Sequence, residues 1–110
     1  SNDMALRVMI SNKKELKAVT GNYFTVKLLA EGCESDLFRN ERKVKLLLYA
    51  GSKLVIGNLI YSMKPGETMN VEFELAHGID KVIVVDKDTS EQIDSCAINK
   101  SLSRDIDDLF

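Results

Sequence analysis

The 110-residue chain has no tryptophan, one proline, one histidine and two cysteines. A structural zinc site needs four ligands at recognisable spacing, and Cys33, Cys96 and His77 cannot supply them. Two free cysteines are the plainer reading of Cys33 and Cys96, with a single disulfide between them as the alternative. No apolar run approaches the roughly 20 residues of a membrane-spanning helix. No basic region followed by a continuous apolar stretch opens the chain, so no signal peptide is expected. A net charge of −2 and a pI of about 5.4 leave no broad electropositive surface for nucleic acid. The sequence also lacks GxGxxG, GxxxxGK[ST], HExxH and GxSxG, along with any internal repeat or low-complexity stretch.

What is present is an ordinary globular composition, 45% hydrophobic and 29% charged, sized for a single domain over residues 1–110. Ser1-Asn2 reads as a tag remnant, with residues 1–3 a remnant or linker and the chain an excised fragment. Seven short segments rich in β-branched or aromatic residues read as strands: Met4–Ile10, Tyr23–Ala30, Val44–Ala50, Leu54–Tyr61, Met69–Leu75, Ile79–Asp86 and Ile93–Ile98. Turn residues separate them, among them Thr20-Gly21-Asn22, Gly51-Ser52, Lys64-Pro65-Gly66, His77-Gly78 and Asp88-Thr89-Ser90. This spacing predicts an all-β, antiparallel sandwich of about seven to eight short strands.

Alternation assigns faces. In Met69–Leu75, the apolar Met69, Val71, Phe73 and Leu75 oppose Asn70, Glu72 and Glu74, so one side is buried. Val82–Val85 has no polar face and reads as covered on both sides or centrally paired. Ser11–Ala18 is polar and fits a loop or a helical turn equally. Near the end, Ser103 followed by Asp105, Asp107 and Asp108 reads as the start of a C-terminal helix.

The candidates for chemistry have plain structural explanations. Gly51-Ser52-Lys53 reads as a hairpin connection rather than an anion nest. His77, between Ala76 and Gly78, reads as a solvated hairpin-tip histidine rather than a general base. Asp86, Asp88 and the Asp105–Asp108 cluster read as solvated charge and lack a calcium-loop spacing. Cys33 has no identifiable base beside it. The expectation is a binding module and not an enzyme.

One family resemblance covers about residues 37–110, and more loosely 5–30. Val71-Glu72-Phe73-Glu74-Leu75-Ala76-His77-Gly78-Ile79 resembles a V-T-F-D-I-D-A-N-G-I hairpin, and Asp86-Lys87-Asp88-Thr89 a D-K-x-[ST] turn. Leu102-Ser103-Arg104-Asp105 resembles an L-S-[KE]-[DE] lead into a helical lid. Upstream, Ile56-Gly57-Asn58-Leu59 is similar to L-G-x-F, Tyr49-Ala50-Gly51 to Y-Q-G, and Leu37-Phe38 to V-F. In this order the landmarks resemble the substrate-binding β-sandwich of the seventy-kilodalton heat-shock chaperones. The chain departs from that pattern at Lys64-Pro65-Gly66-Glu67, at Ser90 and Arg7 (both glycine in the family), and in the short, charged Arg39–Lys43 loop.

The resemblance implies a cytoplasmic chaperone fragment that holds extended apolar segments of unfolded polypeptides, with residues 101–110 opening a helical lid. A bound strand would be held by its backbone, and one apolar pocket would take a Leu-like side chain. By position that pocket would involve Val8, Phe38, Val44, Leu46 and Met69. No cofactor is implied in this chain, and ATP would belong to a separate, preceding ATPase domain. That domain and J-domain co-chaperones would be partners of the whole protein. Neither nucleic acid nor membrane is implied. Read from the residues alone, Val44, Leu46 and Met69 are ordinary core positions of any sandwich. A chaperone-like domain without peptide binding, and an unrelated β-sandwich interaction module, are the alternatives.

Overall fold

A computed structural model describes residues 6–32 and 41–101. Cys33, Leu37, Phe38, the Arg39–Asn40 part of the short loop and the predicted helix start at Ser103–Phe110 lie outside the described residues. Among the described residues, seven strands form: β1 (Arg7–Ile10), β2 (Tyr23–Glu31), β3 (Arg42–Ala50), β4 (Lys53–Met63), β5 (Thr68–Glu74), β6 (Lys81–Asp86) and β7 (Gln92–Ala97). All strand pairings are antiparallel, in a three-stranded sheet ordered β1-β2-β5 and a four-stranded sheet ordered β4-β3-β6-β7. The all-β sandwich expected from the strand spacing is what the chain adopts.

Alternation sets the layers. On β2, Phe24, Val26, Leu28 and Ala30 are buried while the residues between them are not. On β3, Val44, Leu46 and Leu48 are buried in the same way. These two strands face each other's sheets through one continuous core that also takes in Val8, Ile10, Phe73, Val82, Val84 and Cys96. Phe24 and Phe73 are register partners and stack with centroids 5.5 Å apart. Val82–Val85 lies on β6, paired on both sides by β3 and β7, as its lack of a polar face predicts.

The connections differ from the expected pattern in one respect. Val71–Ile79 resembles a hairpin in sequence, but β5 pairs with β2 and β6 pairs with β3, so the chain crosses between sheets there. Together with the β2-to-β3 and β4-to-β5 crossings, this gives a Greek-key type of connectivity. His77 (φ 59°) and Gly78 (φ 69°) adopt left-handed conformations in the crossing loop, and His77 is exposed there, not at a hairpin tip. By contrast, Gly51-Ser52 is a two-residue connection, with Ala50 and Lys53 paired across it. Ser11–Ala18 contains one helical turn, α1 (Lys13–Leu16), anchored by buried Leu16.

Two polar groups hold the ends of the sandwich. Buried Asn12 donates to the Thr25 carbonyl (2.7 Å) and accepts from the Lys27 amide (3.0 Å), satisfying backbone groups beside β2. Asp86 is not the solvated turn charge that its sequence neighbours suggest. It is buried, and its carboxylate takes Arg42 Nε at 2.9 Å, the Asp88 amide at 2.8 Å and the Thr89 amide at 2.9 Å.

Candidate functional site

Three of the five side chains implied for a peptide pocket are core residues in this fold. Val8, Val44 and Leu46 have no exposed surface. Val8 stands on β1 opposite Ala30, while Val44 and Leu46 stand on β3 opposite Tyr61 and Leu59. The three are therefore contributed by both sheets to one filled interior, with no surface left for a ligand to contact. Met69, on β5 opposite Leu28, is half-buried at the margin of that core. Phe38 lies outside the described residues. The structure thus brings Val8, Val44 and Leu46 together as packing and sets Met69 apart on an edge strand.

Where the sandwich opens follows from its topology. The β1 and β7 edges meet: the Ile10 amide of β1 donates to Asp94 Oδ2 of β7 at 2.8 Å, and Lys13 Nζ bridges to Asp94 Oδ1 at 2.6 Å. The edges on the opposite side are therefore β5 and β4. They differ sharply in protection. β5 carries exposed Glu72 and Glu74, charges of the kind that blunt an edge against further pairing. β4, at 11 residues the longest strand, has no charged residue between Lys53 and Lys64. Among the described residues, no turn, loop or side-chain hydrogen bond covers residues 54–62, and β4 pairs with β3 alone.

The shape of β4 narrows the usable part of that edge. Between Leu46 and Leu48 the β4 partner moves from Leu59 to Ile56, and between Leu48 and Tyr49 it moves from Ile56 to Leu54. Each step leaves one extra residue on β4, which bends and twists the strand. Past these bulges, Leu59–Met63 runs in unbroken register with Arg42–Leu46. Leu59 and Tyr61 share the face of buried Leu46 and Val44 and are themselves half-buried. Ile60 and Ser62 point outward, opposite Lys45 and Lys43, and Ile60 is 46% exposed. Leu54, nearer the turn, is also 46% exposed. On the facing edge, Met69 and Val71 are half-buried as well, so the open side has an apolar rim on both sheets.

Other features offer less chemistry. An open depression of about 360 Å³ between α1 and β2 is lined by Glu15, Thr20, Tyr23, Thr25, Lys27 and Glu72, among others. Its Glu15 carboxyl is held below the usual range by the Asn12 side-chain amide and then by Lys27, whose Nζ lies 3.5 Å away. Cys96 is a free, buried thiol whose pKa burial pushes up, against the partial opposition of Lys17 and Lys13. Among the described residues, no group of three His, Cys, Asp or Glu side chains is placed to hold a metal, and no helix is long and apolar enough to cross a membrane.

Among the described residues, fold and site together define an antiparallel two-sheet sandwich with one closed side and one uncharged edge, β4, that pairs with β3 alone. No family model, curated protein or solved structure matches the chain.

Proposed function

We propose that this domain is an interaction module that binds extended polypeptide by adding it as a strand to the β4 edge. The function implied by the chaperone resemblance, holding extended apolar segments, belongs to the same class. The mode differs, because Val8, Val44 and Leu46 offer no accessible surface. The observation that carries the proposal is the regular, uncharged edge Leu59–Met63, which among the described residues pairs with β3 alone, beside exposed Ile60 and the apolar rim of Leu59, Tyr61, Met69 and Val71. Strand addition takes affinity from main-chain hydrogen bonds and selectivity from alternate side chains, and it suits segments with no structure of their own. Membership of an ATP-coupled chaperone, with an ATPase domain and J-domain partners, rests on the resemblance alone. The β5-to-β6 crossing favours a module unrelated to that family.

The test is peptide binding by fluorescence anisotropy, using short extended apolar peptides and the same peptides N-methylated at alternate amides. The unmethylated peptides bind, and methylation along the pairing edge abolishes binding because it removes the donors and adds bulk. Ile60→Lys on the domain weakens binding at least tenfold without lowering Tm appreciably, since the side chain is already exposed. Equal binding of methylated and unmethylated peptides would exclude strand addition.

A further inference from the structure

The outward face beside the β4 edge has a strong charge bias. Alternation on β3 turns Lys43, Lys45, Leu47 and Tyr49 away from the core, because Val44, Leu46 and Leu48 between them are fully buried. On β6 the same face carries Lys81, Ile83 and Val85, the register partners of Tyr49, Leu47 and Lys45. Lys81 Nζ sits 5.1 Å from the centre of the Tyr49 ring. Asp86 and Asp94 point the other way, toward Arg42 on one side and toward β1 and Lys13 on the other. The outward strand positions of this sheet therefore hold three lysines and no carboxylate, while exposed Glu41, Asp80, Asp88 and Glu91 flank the strands at their ends. None of Lys43, Lys45 and Lys81 forms an ion pair among the described residues.

Two of these lysines stand beside the usable part of the edge. Lys45 pairs with Ile60 and Lys43 with Ser62, both within the regular Leu59–Met63 stretch. A strand added to β4 lies two strand spacings from β3, about 10 Å. A lysine and a glutamate side chain together span that distance across Ile60 and Ser62. The added strand's inward side chains would continue the half-buried layer of Leu59 and Tyr61, where only apolar groups avoid a desolvation cost. Its outward side chains would meet the ammonium groups of Lys43 and Lys45, which form no ion pair among the described residues.

We infer that the polypeptide taken up at β4 is an extended segment that alternates apolar residues with Asp or Glu, its carboxylates turned toward Lys43 and Lys45. This rests on the strand-addition reading above and adds the chemistry of the ligand. A separate polypeptide fits better than a second copy: among the described residues, the strand positions of an approaching β4 edge and its β3 neighbour bring the same lysines and no carboxylate to meet them. Surface ion pairs are individually weak and screened by salt, so the preference is read best at low ionic strength.

The experiment compares three synthetic peptides of one length, alternating Ile with Glu, Ile with Gln, or Ile with Lys. In 20 mM salt the Glu peptide binds about tenfold more tightly than the Gln peptide, and the Lys peptide more weakly than both. At about 0.5 M salt the three converge, as screening requires. The double variant Lys43→Gln, Lys45→Gln binds the Gln peptide as the parent does but loses the preference for Glu. A thermal melt of the variant verifies that it is folded. Equal affinity for all three peptides in low salt overturns the acidic preference and leaves strand addition standing. A preference that survives in the double variant overturns the role of these lysines. Binding of none of the peptides overturns strand addition and this inference with it, and a concentration-dependent dimer would name a second copy as the occupant.

Discussion

Arg42 and Asp86 form a tightly buried ion pair, with each side chain about 10% exposed. Arg42 also donates through Nη1 to the Leu6 carbonyl at 2.7 Å, tying β3 to the start of β1 across the sandwich. Asp86 meanwhile organises the turn into β7 through the Asp88 and Thr89 amides. Burial pushes its pKa up, but the Thr89 amide, the Arg42 guanidinium and the Asp88 amide together outweigh it and hold the carboxyl below its ordinary value. A carboxyl with a depressed folded pKa contributes stability above its unfolded pKa of about 4 and loses that contribution as pH falls through the folded value. Asp86→Ala leaves the buried Arg42 side chain with only the exposed Glu91 carboxylate, 4.0 Å away, as counter-charge among the described residues and costs about 3–5 kcal/mol in denaturant unfolding. Below about pH 4, stability of the parent falls with acid while Asp86→Asn shows a shallower slope. Parallel curves for the two proteins would mean that the acid sensitivity arises elsewhere.

At the scale of elements, β3 decides between pocket and core. Val44 is fully enclosed among Tyr61, Asp86 and the opposing sheet, so Val44→Phe overpacks a filled site and costs about 1–3 kcal/mol. The loss is read as a lowered Tm with no selective effect on peptide affinity measured well below that Tm. A tenfold loss of binding with unchanged Tm would restore the pocket. The elements themselves were largely legible in the sequence. Strict alternation in Met69–Leu75, the unbroken apolar run Val82–Val85 and the Gly51-Ser52 turn each specify a local backbone and the face it buries. Sheet membership was not legible. Ala76-His77-Gly78 has the chemistry of a tight turn, yet which strand Phe73 pairs with is settled by Phe24, far away in sequence. Asp86 was misread for the same reason, since its partner Arg42 is 44 residues distant. The candidate edge was hidden because an edge is not a property of a strand's own residues. Leu54–Tyr61 reads like any other half-buried strand until the topology of the described residues gives it a single partner strand.

The whole molecule is asymmetric about its two sides, and Asp94 is the residue that closes one of them. Its carboxylate, 9% exposed, satisfies the Ile10 amide on the β1 edge and the Lys13 ammonium at the start of α1. A β7 side chain thereby does for β1 what a neighbouring strand would otherwise do, covering an edge that would invite pairing. Among the described residues, the β4 side has no equivalent. Asp94→Ala removes the cover, leaving a partly buried amide and ammonium without partners at a cost of about 1–3 kcal/mol. Hydrogen exchange distinguishes this from general loosening. In the parent, the Ile10 amide exchanges slowly and the β4 amides that point away from β3 exchange fast. In Asp94→Ala the Ile10 amide joins the fast set by more than the global loss of stability accounts for, while the central β3 and β6 amides slow or speed only with that global change. Protection of Ile10 that tracks the global change would show the seam to be closed by packing rather than by Asp94, and the contrast between a sealed and an open side would then need another cause.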